Sequence, residues 1–70
     1  MVRKSLAMNL GDAGNIALAK TLRIHDEELE EKAVEALAKE SREIDMKIKE
    51  GALFTRDEIS KLFDNIILGL

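Results

Sequence analysis

Apolar residues recur at helical spacing near the C-terminus of this chain. Six large apolar residues fall at i, i+3, i+4, i+7, i+8 and i+11, a pattern that places them on one helical face. They are Ile59, Leu62, Phe63, Ile66, Ile67 and Leu70. Thr55 and Glu58 match the Thr-x-x-Glu capping box that begins many helices. The pattern therefore predicts an amphipathic C-terminal helix over about residues 55–68.

A second apolar stripe, with alternating steps of three and four residues, runs through the middle of the chain. Its members are Val34, Leu37, Ser41, Ile44 and Ile48, and it is widened by Leu29, Ala33 and Ala38. The segment around it consists mostly of strong helix formers, without proline or internal glycine. Asp26 suits an N-cap, and Gly51 suits the left-handed position just after a helix. We predict one long central helix over about residues 26–50.

The N-terminal third is less regular. Two glycines, an Asp and an Asn within residues 11–15 indicate a turn, so residues 1–15 are predicted to form a flexible arm and a glycine-containing turn, with a short helix over residues 1–10 as an equal alternative to the arm. Residues 16–25 fit two structures. Alanines favour a helix capped by Asn15, whereas residues 21–25 alternate polar and apolar side chains as a strand does. We favour the helix, and the strand stays open.

The length of the chain limits its stability. Seventy residues form one small domain, whose core rarely supplies more than about 3–5 kcal/mol. No cysteine is present for a disulfide or a thiolate metal site, and one histidine does not make a zinc site. Oligomerisation remains as the stabilising device. The predicted fold is therefore all-α: a small helical hairpin or three-helix bundle over residues 1–70, completed by self-association, with a dimer favoured.

The predicted interface uses the apolar faces of the two helices. The end of the last helix has more apolar surface than one neighbouring helix can cover, so a contact with another chain is expected there. A protein partner other than a second copy is compatible with the same surface. The predicted interface residues are Ile59, Leu62, Phe63, Ile66, Ile67, Leu70, Val34, Leu37, Ile44 and Ile48.

The chain offers little catalytic chemistry. It has no Cys, Tyr or Trp, and its serines lack the Gly-x-Ser-x-Gly context of hydrolases. The acids within residues 26–31 are explained by the electrostatics of a helix start, without the spacing of a calcium loop. His25 beside them fits a surface residue. We predict a protein that is not an enzyme and that has no cofactor or metal.

Charge and hydropathy narrow the partners. The net charge is −3 and the pI is about 5.1, which argues against a bulk nucleic-acid binder. No apolar run approaches the roughly 18 residues that indicate a membrane-spanning helix. We predict a cytoplasmic protein without a membrane segment.

The last third, KEGALFTRDEISKLFDNIILGL, resembles the short C-terminal oligomerisation domain family, often called SHOCT. That family has a helix, a glycine-containing turn, a capping Thr followed by acids, and a helix that ends Leu-Gly-Leu. The matching residues are Gly51, Thr55, Asp57, Glu58, Leu68, Gly69 and Leu70. The resemblance implies a helical module for self-association.

Residues 20–41, KTLRIHDEELEEKAVEALAKES, are similar to the strand-then-helix start of ribbon-helix-helix regulators and antitoxins. In that family a two-stranded ribbon, formed by a dimer, enters the major groove of DNA. The resemblance implies that Thr21, Arg23 and His25 contact DNA, while the apolar residues between them face the core.

Two functions follow from these patterns. We prefer a small non-enzymatic module for protein–protein interaction and oligomerisation, of a kind that serves regulation. The alternative is a DNA-binding repressor or antitoxin that uses residues 20–25, and nucleic acid is a partner only under that alternative. The conformation of residues 21–25 distinguishes the two, because the alternative needs a strand there.

Overall fold

The computed structural model describes residues 7–70, and three α-helices account for most of that part of the chain. Helix α1 spans Asp12–Thr21, α2 spans Glu27–Lys49 and α3 spans Arg56–Leu68. The three helices pack against one another, and apart from one isolated bridge the described residues contain no β-structure. The predicted all-α fold with a long central helix is confirmed.

Side-chain caps fix where α2 and α3 begin. The Asp26 Oδ1 accepts the backbone N–H groups of Glu28 at 3.0 Å and Leu29 at 3.2 Å. At the start of α3, the Glu58 N–H donates to the Thr55 Oγ1 at 3.2 Å, and the Thr55 N–H donates to the Glu58 Oε1 at 2.9 Å. Both caps satisfy amide groups that a helix start leaves without an intrahelical partner. Both predicted helix starts are confirmed.

Helix α2 ends in a Schellman motif. Gly51 adopts a φ of 104°, which lies in the left-handed region that favours glycine. Its N–H donates to the Ile48 carbonyl at 3.0 Å, and the N–H of Ala52 donates to the Lys47 carbonyl at 2.9 Å. This pair of bonds closes the last turn of a helix and redirects the chain. The chain can therefore reverse within six residues, 50–55, before α3 begins.

Helix α1 begins earlier than the sequence pattern indicated. Residues 11–15 were expected to form a turn with Asn15 as the cap, but Asp12 is the first helical residue, and Gly14 and Asn15 lie inside α1. The bend falls at Gly11, whose φ is 91°. Asp12 also bonds back to Asn9, with its Oδ2 accepting the Asn9 N–H at 2.8 Å. The local bond network therefore starts the helix four residues upstream of the predicted start.

The core explains why glycine and asparagine are tolerated in α1. Ala13 and Ala17 of α1 are buried against α2 and α3, and this burial offsets a propensity cost of about 1 kcal/mol for an interior glycine. Phe63, Leu37 and Ile59 are the largest side chains without solvent contact. The full cluster consists of Met8, Ala13, Ala17, Leu37, Ile44, Ile59 and Phe63, with Ile16, Ile48, Phe54, Ile66 and Ile67 packed around it.

The segment before α1 takes part in this core. Ala7 forms an isolated antiparallel bridge with Thr55, and the Met8 N–H donates to the Phe54 carbonyl at 2.8 Å. The Met8 side chain is 5% exposed and belongs to the core cluster. These contacts hold Ala7 and Met8 against the connection before α3, and the rest of the predicted arm, residues 1–6, lies outside the described part of the chain.

The stripe predicted on α2 is rotated by one position at its N-terminal end. Leu37, Ser41 and Ile44 are buried as expected, but Val34 is 47% exposed and Ala33 is fully buried instead. Ala13 and Ala17 of α1 are small and buried, so α1 can approach α2 closely, and a close approach suits an alanine better than a β-branched residue at the buried position. The Ser41 hydroxyl donates to the Ala38 carbonyl at 2.9 Å, so its burial leaves no unpaired polar group.

Candidate interaction surfaces

Leucine contributes little to the core of this fold. Of the nine leucines among residues 7–70, only Leu37 is buried and Leu29 is half-buried. The other seven are exposed: Leu10, Leu18, Leu22, Leu53, Leu62, Leu68 and Leu70. Single exposed leucines are ordinary, whereas grouped ones mark contact surfaces. Five of the seven fall near two surfaces.

The first surface lies along the border of the apolar face of α3. Leu62, Ile66 and Leu70 are spaced by four residues, so they share one side of the helix. Leu62 is 37% exposed, Leu70 is 45% exposed and Ile66 is half-buried. Asn65 and Gly69 lie beside them. We call these five residues the α3 edge, and none of their side chains carries a charge.

The end of α3 keeps this edge continuous. The N–H of Gly69 donates to the Asn65 carbonyl and the N–H of Leu70 donates to the Ile67 carbonyl, each at 3.1 Å. These bonds extend the helical turn past Leu68 and hold Leu70 in line with Ile66. A Cβ at Gly69 would meet only the helix's own carbonyls, at 3.6 Å. Glycine here therefore leaves the edge flat, without a side chain between the two apolar residues.

The second surface is a groove between α1 and α2, on which Leu18 and Val34 stand at opposite sides. It encloses about 220 Å³. We call it the α1/α2 groove; its lining residues are Gly14, Ala17, Leu18, Thr21, Val34, Leu37, Ala38 and Ser41. The two hydroxyl groups in it, on Thr21 and Ser41, donate to the helix carbonyls of Leu18 and Ala38 at 2.9 Å. The floor of the groove is therefore effectively apolar.

Leucines continue the sequence pattern of the α1 wall beyond the residues that line the groove. Leu10, Gly14, Leu18 and Leu22 follow one another at four-residue spacing, and the three leucines are 53%, 59% and 70% exposed. The N–H of Gly11, next to Leu10, donates to the Asp45 Oδ1 of α2 at 3.1 Å, which ties this end of the wall to α2. None of the four wall residues is charged.

The α2 wall of the groove borders an acidic depression. Val34 lines the groove and also borders a shallow depression on the outer surface of α2. The other residues of that depression are Glu30, Glu31, Lys32 and Glu35, three acids against one base. The α2 residues that line the groove are themselves uncharged, but this wall adjoins a surface with a net charge of −2, whereas the α1 wall adjoins exposed leucines.

Most of the predicted interface residues serve the chain's own core. Leu37, Ile44, Ile59 and Phe63 are buried, and Ile48, Ile66 and Ile67 are half-buried. Leu62, Leu70 and Val34 remain exposed enough to contact another molecule without unfolding. Leu18 and Leu22 are exposed but were not among the predicted interface residues, although leucine or glycine recurs at residues 10, 14, 18 and 22 and this spacing indicates a shared helix face.

The three residues proposed to contact DNA do not share a surface. Thr21 is the last residue of α1 and lies buried in the α1/α2 groove. Arg23 lines a separate depression between α1 and α3, and His25 is exposed in the connection before α2. Leu22, expected to face the core, is exposed. The strand interpretation of residues 21–25 is wrong, because the chain is helical to Thr21 and then turns.

The depression between α1 and α3 contains an ion pair. The Lys20 Nζ lies 2.8 Å from the Asp64 Oδ1, and both residues line the depression together with Arg23. Asp64 is more than half exposed, and a pair of this kind contributes about 0.2–1 kcal/mol. Its effect is to join the helix that carries the α1 wall to the helix that carries the α3 edge.

The described residues contain neither a cluster of metal ligands nor a membrane-spanning helix. Within residues 7–70 no group of three or more His, Asp or Glu side chains converges as metal ligands would. No helix of the same region is both long and apolar enough to cross a lipid bilayer. Whether the protein is an enzyme or holds a cofactor stays at the level of the sequence-based prediction.

Comparison with known proteins does not place the chain in a family. No family model matches the sequence, and no curated protein and no solved structure matches it. The resemblances to the short C-terminal oligomerisation domain and to ribbon-helix-helix regulators therefore stay predictions.

Proposed function

We propose that this protein is a non-enzymatic interaction module that forms a homodimer through the α3 edge. The observation that carries the proposal is the uncharged apolar strip of Leu62, Ile66 and Leu70, in which Leu62 and Leu70 are exposed and Ile66 is half-buried beside the core. Two copies of one strip can pack across a two-fold axis, so that each apolar residue contributes twice.

Charge supports a second copy as the occupant of this edge. Each chain has a net charge of −3, so two copies repel one another at long range. They can meet at low cost where neither presents a charged side chain, and Leu62, Asn65, Ile66, Gly69 and Leu70 meet that condition. Like charges that face one another at an interface oppose pairing, and the α3 edge has no charged side chain that would oppose the pairing of two copies.

Energetics support a weak dimer. Burial of apolar surface contributes about 25 cal/mol per Å², and association must also overcome the lost freedom of two separate molecules. The edge is short and its residues are already partly covered. We therefore expect a dissociation constant in the micromolar range, equivalent to about 8 kcal/mol.

The proposal is tested by Leu62→Glu, followed by sedimentation velocity over a range of protein concentrations. The wild-type protein should sediment as a mixture of monomer and dimer, and Leu62→Glu should remain monomeric because it brings two carboxylates into the contact. Leu53→Glu is the matched control, since Leu53 is 83% exposed but lies in the connection between α2 and α3. Circular dichroism should show unchanged helix content in both variants.

Two results would refute the proposed dimer. One is a wild-type protein that stays monomeric up to millimolar concentration. The other is a dimer that Leu53→Glu disrupts as strongly as Leu62→Glu does, which would place the contact elsewhere.

A further inference from the structure

We propose that the α1/α2 groove binds one basic amphipathic helix from a different protein. This surface lies apart from the α3 edge, and the inference does not depend on whether the protein dimerises. It rests on the shape of the groove, on the bonding of its hydroxyl groups and on the difference in charge between the surfaces beside its two walls.

The groove can hold about two turns of a helix. The residues of α1 that line it run from Gly14 to Thr21, which at 1.5 Å per residue corresponds to roughly 10 Å. The small residues Gly14, Ala17 and Ala38 line it, so a helix can approach without obstruction. A Cβ at Gly14 would meet no atom within 4 Å, which shows that space is open above the floor.

The hydrogen bonds already made in the groove determine what kind of surface can bind there. Thr21 and Ser41 are the polar side chains within the groove, and each hydroxyl already donates to a carbonyl of its own helix. The exposed parts of Leu18 and Val34 flank them. A ligand that seeks hydrogen bonds gains little here, whereas an apolar stripe at i, i+3, i+4 and i+7 fits between the two walls.

The walls set the charge of the occupant. A helix in the groove would have one flank near Glu30, Glu31 and Glu35, which adjoin Val34, and the other against Leu18. Lysine or arginine therefore suits the first flank, and uncharged residues suit the second. Such complementarity governs partner choice and association rate more than raw affinity.

The same charges argue against a second copy in the groove. A copy that presented its own groove would bring three more glutamates to the contact, against one more Lys32. Like charges that face one another oppose association. The occupant is therefore a different protein, which supplies the basic flank.

Two synthetic helical peptides, each roughly four turns long, test the inference. Both have leucine at i, i+3, i+4 and i+7, and they differ only in carrying lysine or glutamate along one flank. Binding is measured by fluorescence anisotropy, and the site by NMR shifts of the Leu18 and Val34 methyl groups. We expect the lysine peptide to bind at least ten-fold more tightly at low salt, with the ratio falling at high salt.

Charge reversal of the α2 wall provides the decisive variant. The double substitution Glu31→Lys with Glu35→Lys should invert the preference between the two peptides. Glu43→Lys is the matched control, because Glu43 is an exposed glutamate of α2 that borders a different depression with Met46 and Glu50. Leu18→Glu should weaken both peptides, and Leu62→Glu should affect neither.

Several results would overturn the inference. Equal binding of the two peptides, or a preference that the double variant leaves unchanged, would show that the glutamates beside the groove do not select the bound helix. Methyl shifts confined to α3 would place the peptide on the other surface. A wild-type dimer that Leu18→Glu dissociates would show that a second copy occupies the groove. Loss of dimerisation in Leu62→Glu alone bears only on the proposed α3 contact, so the two proposals can fail separately.

Discussion

The α3 edge and the α1/α2 groove expose similar apolar side chains but differ in the charges around them. The edge presents Leu62, Ile66 and Leu70 with only Asn65 and Gly69 beside them. The groove has an apolar wall on α1 and a wall on α2 whose border carries three glutamates and one lysine. Apolar area indicates that a surface can make a contact, and the surrounding charge decides with which molecule.

This difference suggests a division of roles within 70 residues. A surface without charge suits a copy of the same acidic chain, because identical charges would otherwise face each other across a two-fold axis. A surface with an acidic border excludes that copy and selects a basic partner. The two contacts would use different helices, so both could form on one molecule.

The largest expected effect tests the fold that carries both surfaces. Phe63 has no solvent exposure, whereas its neighbour Leu62 is 37% exposed on the α3 edge. Phe63→Ala should destabilise the protein by about 3–5 kcal/mol through the lost burial and the cavity. The total stability of a 70-residue domain is roughly 3.5–10.5 kcal/mol, at about 0.05–0.15 kcal/mol per residue, so this loss is a large share of it.

Urea unfolding followed by circular dichroism measures this effect, at low protein concentration so that dimers do not contribute. Leu62→Ala is the control and should cost less than about 1 kcal/mol, as substitutions at exposed sites do. Comparable losses at the two positions would show that Leu62 belongs to the core, and the comparison between edge and groove would no longer hold.

A smaller effect separates the helices that carry the two surfaces. Asp26→Ala and Thr55→Ala remove the caps of α2 and α3, and each should cost about 0.5–2 kcal/mol. Hydrogen exchange should rise in the first turn of α2 for Asp26→Ala and in the first turn of α3 for Thr55→Ala. Because Glu30 and Glu31 follow Asp26 closely, only Asp26→Ala should weaken binding of the lysine peptide.

Asp26→Asn and Thr55→Ser preserve a capping oxygen and should retain most of the stability. If each alanine variant loosened both helices equally, the two surfaces would not be independent parts of the structure.

The caps could be predicted from sequence because they act over two or three residues. Asp26, Thr55 and Gly51 each bond within their own turn, so the residue type and its neighbours suffice to recognise them. The strong helix formers between residues 26 and 50 likewise report a local preference. These features gave correct bounds for α2 and α3 to within a residue or two.

The remaining errors arise where one helix decides the structure of another. Val34 fits the apolar period of α2 as well as Ala33 does, and only the close approach of α1 determines which of them is buried. Met8 is held by a bond to Phe54, far along the sequence. The groove itself exists only between two helices, so no single segment predicts it, although the leucine spacing along residues 10–22 marks one wall.

The smallest expected effect tests the charge argument directly. Asn65→Glu adds a carboxylate to the α3 edge, and a homodimer would then hold two of them in one contact. Self-association should weaken by about three- to ten-fold at low salt, near 1 kcal/mol for like charges in water. It should recover as added salt shortens the Debye length from about 10 Å at 0.1 M to 3 Å at 1 M.

Asn65→Gln controls for side-chain size and should dimerise as the wild-type protein does. Binding of the lysine peptide to the α1/α2 groove should stay the same in both variants, since neither changes the α2 wall. If Asn65→Glu dimerised normally, or if salt failed to restore its association, the absence of charge would not explain why this edge pairs with itself. The division of partners between the two surfaces would then need a cause in shape rather than in electrostatics.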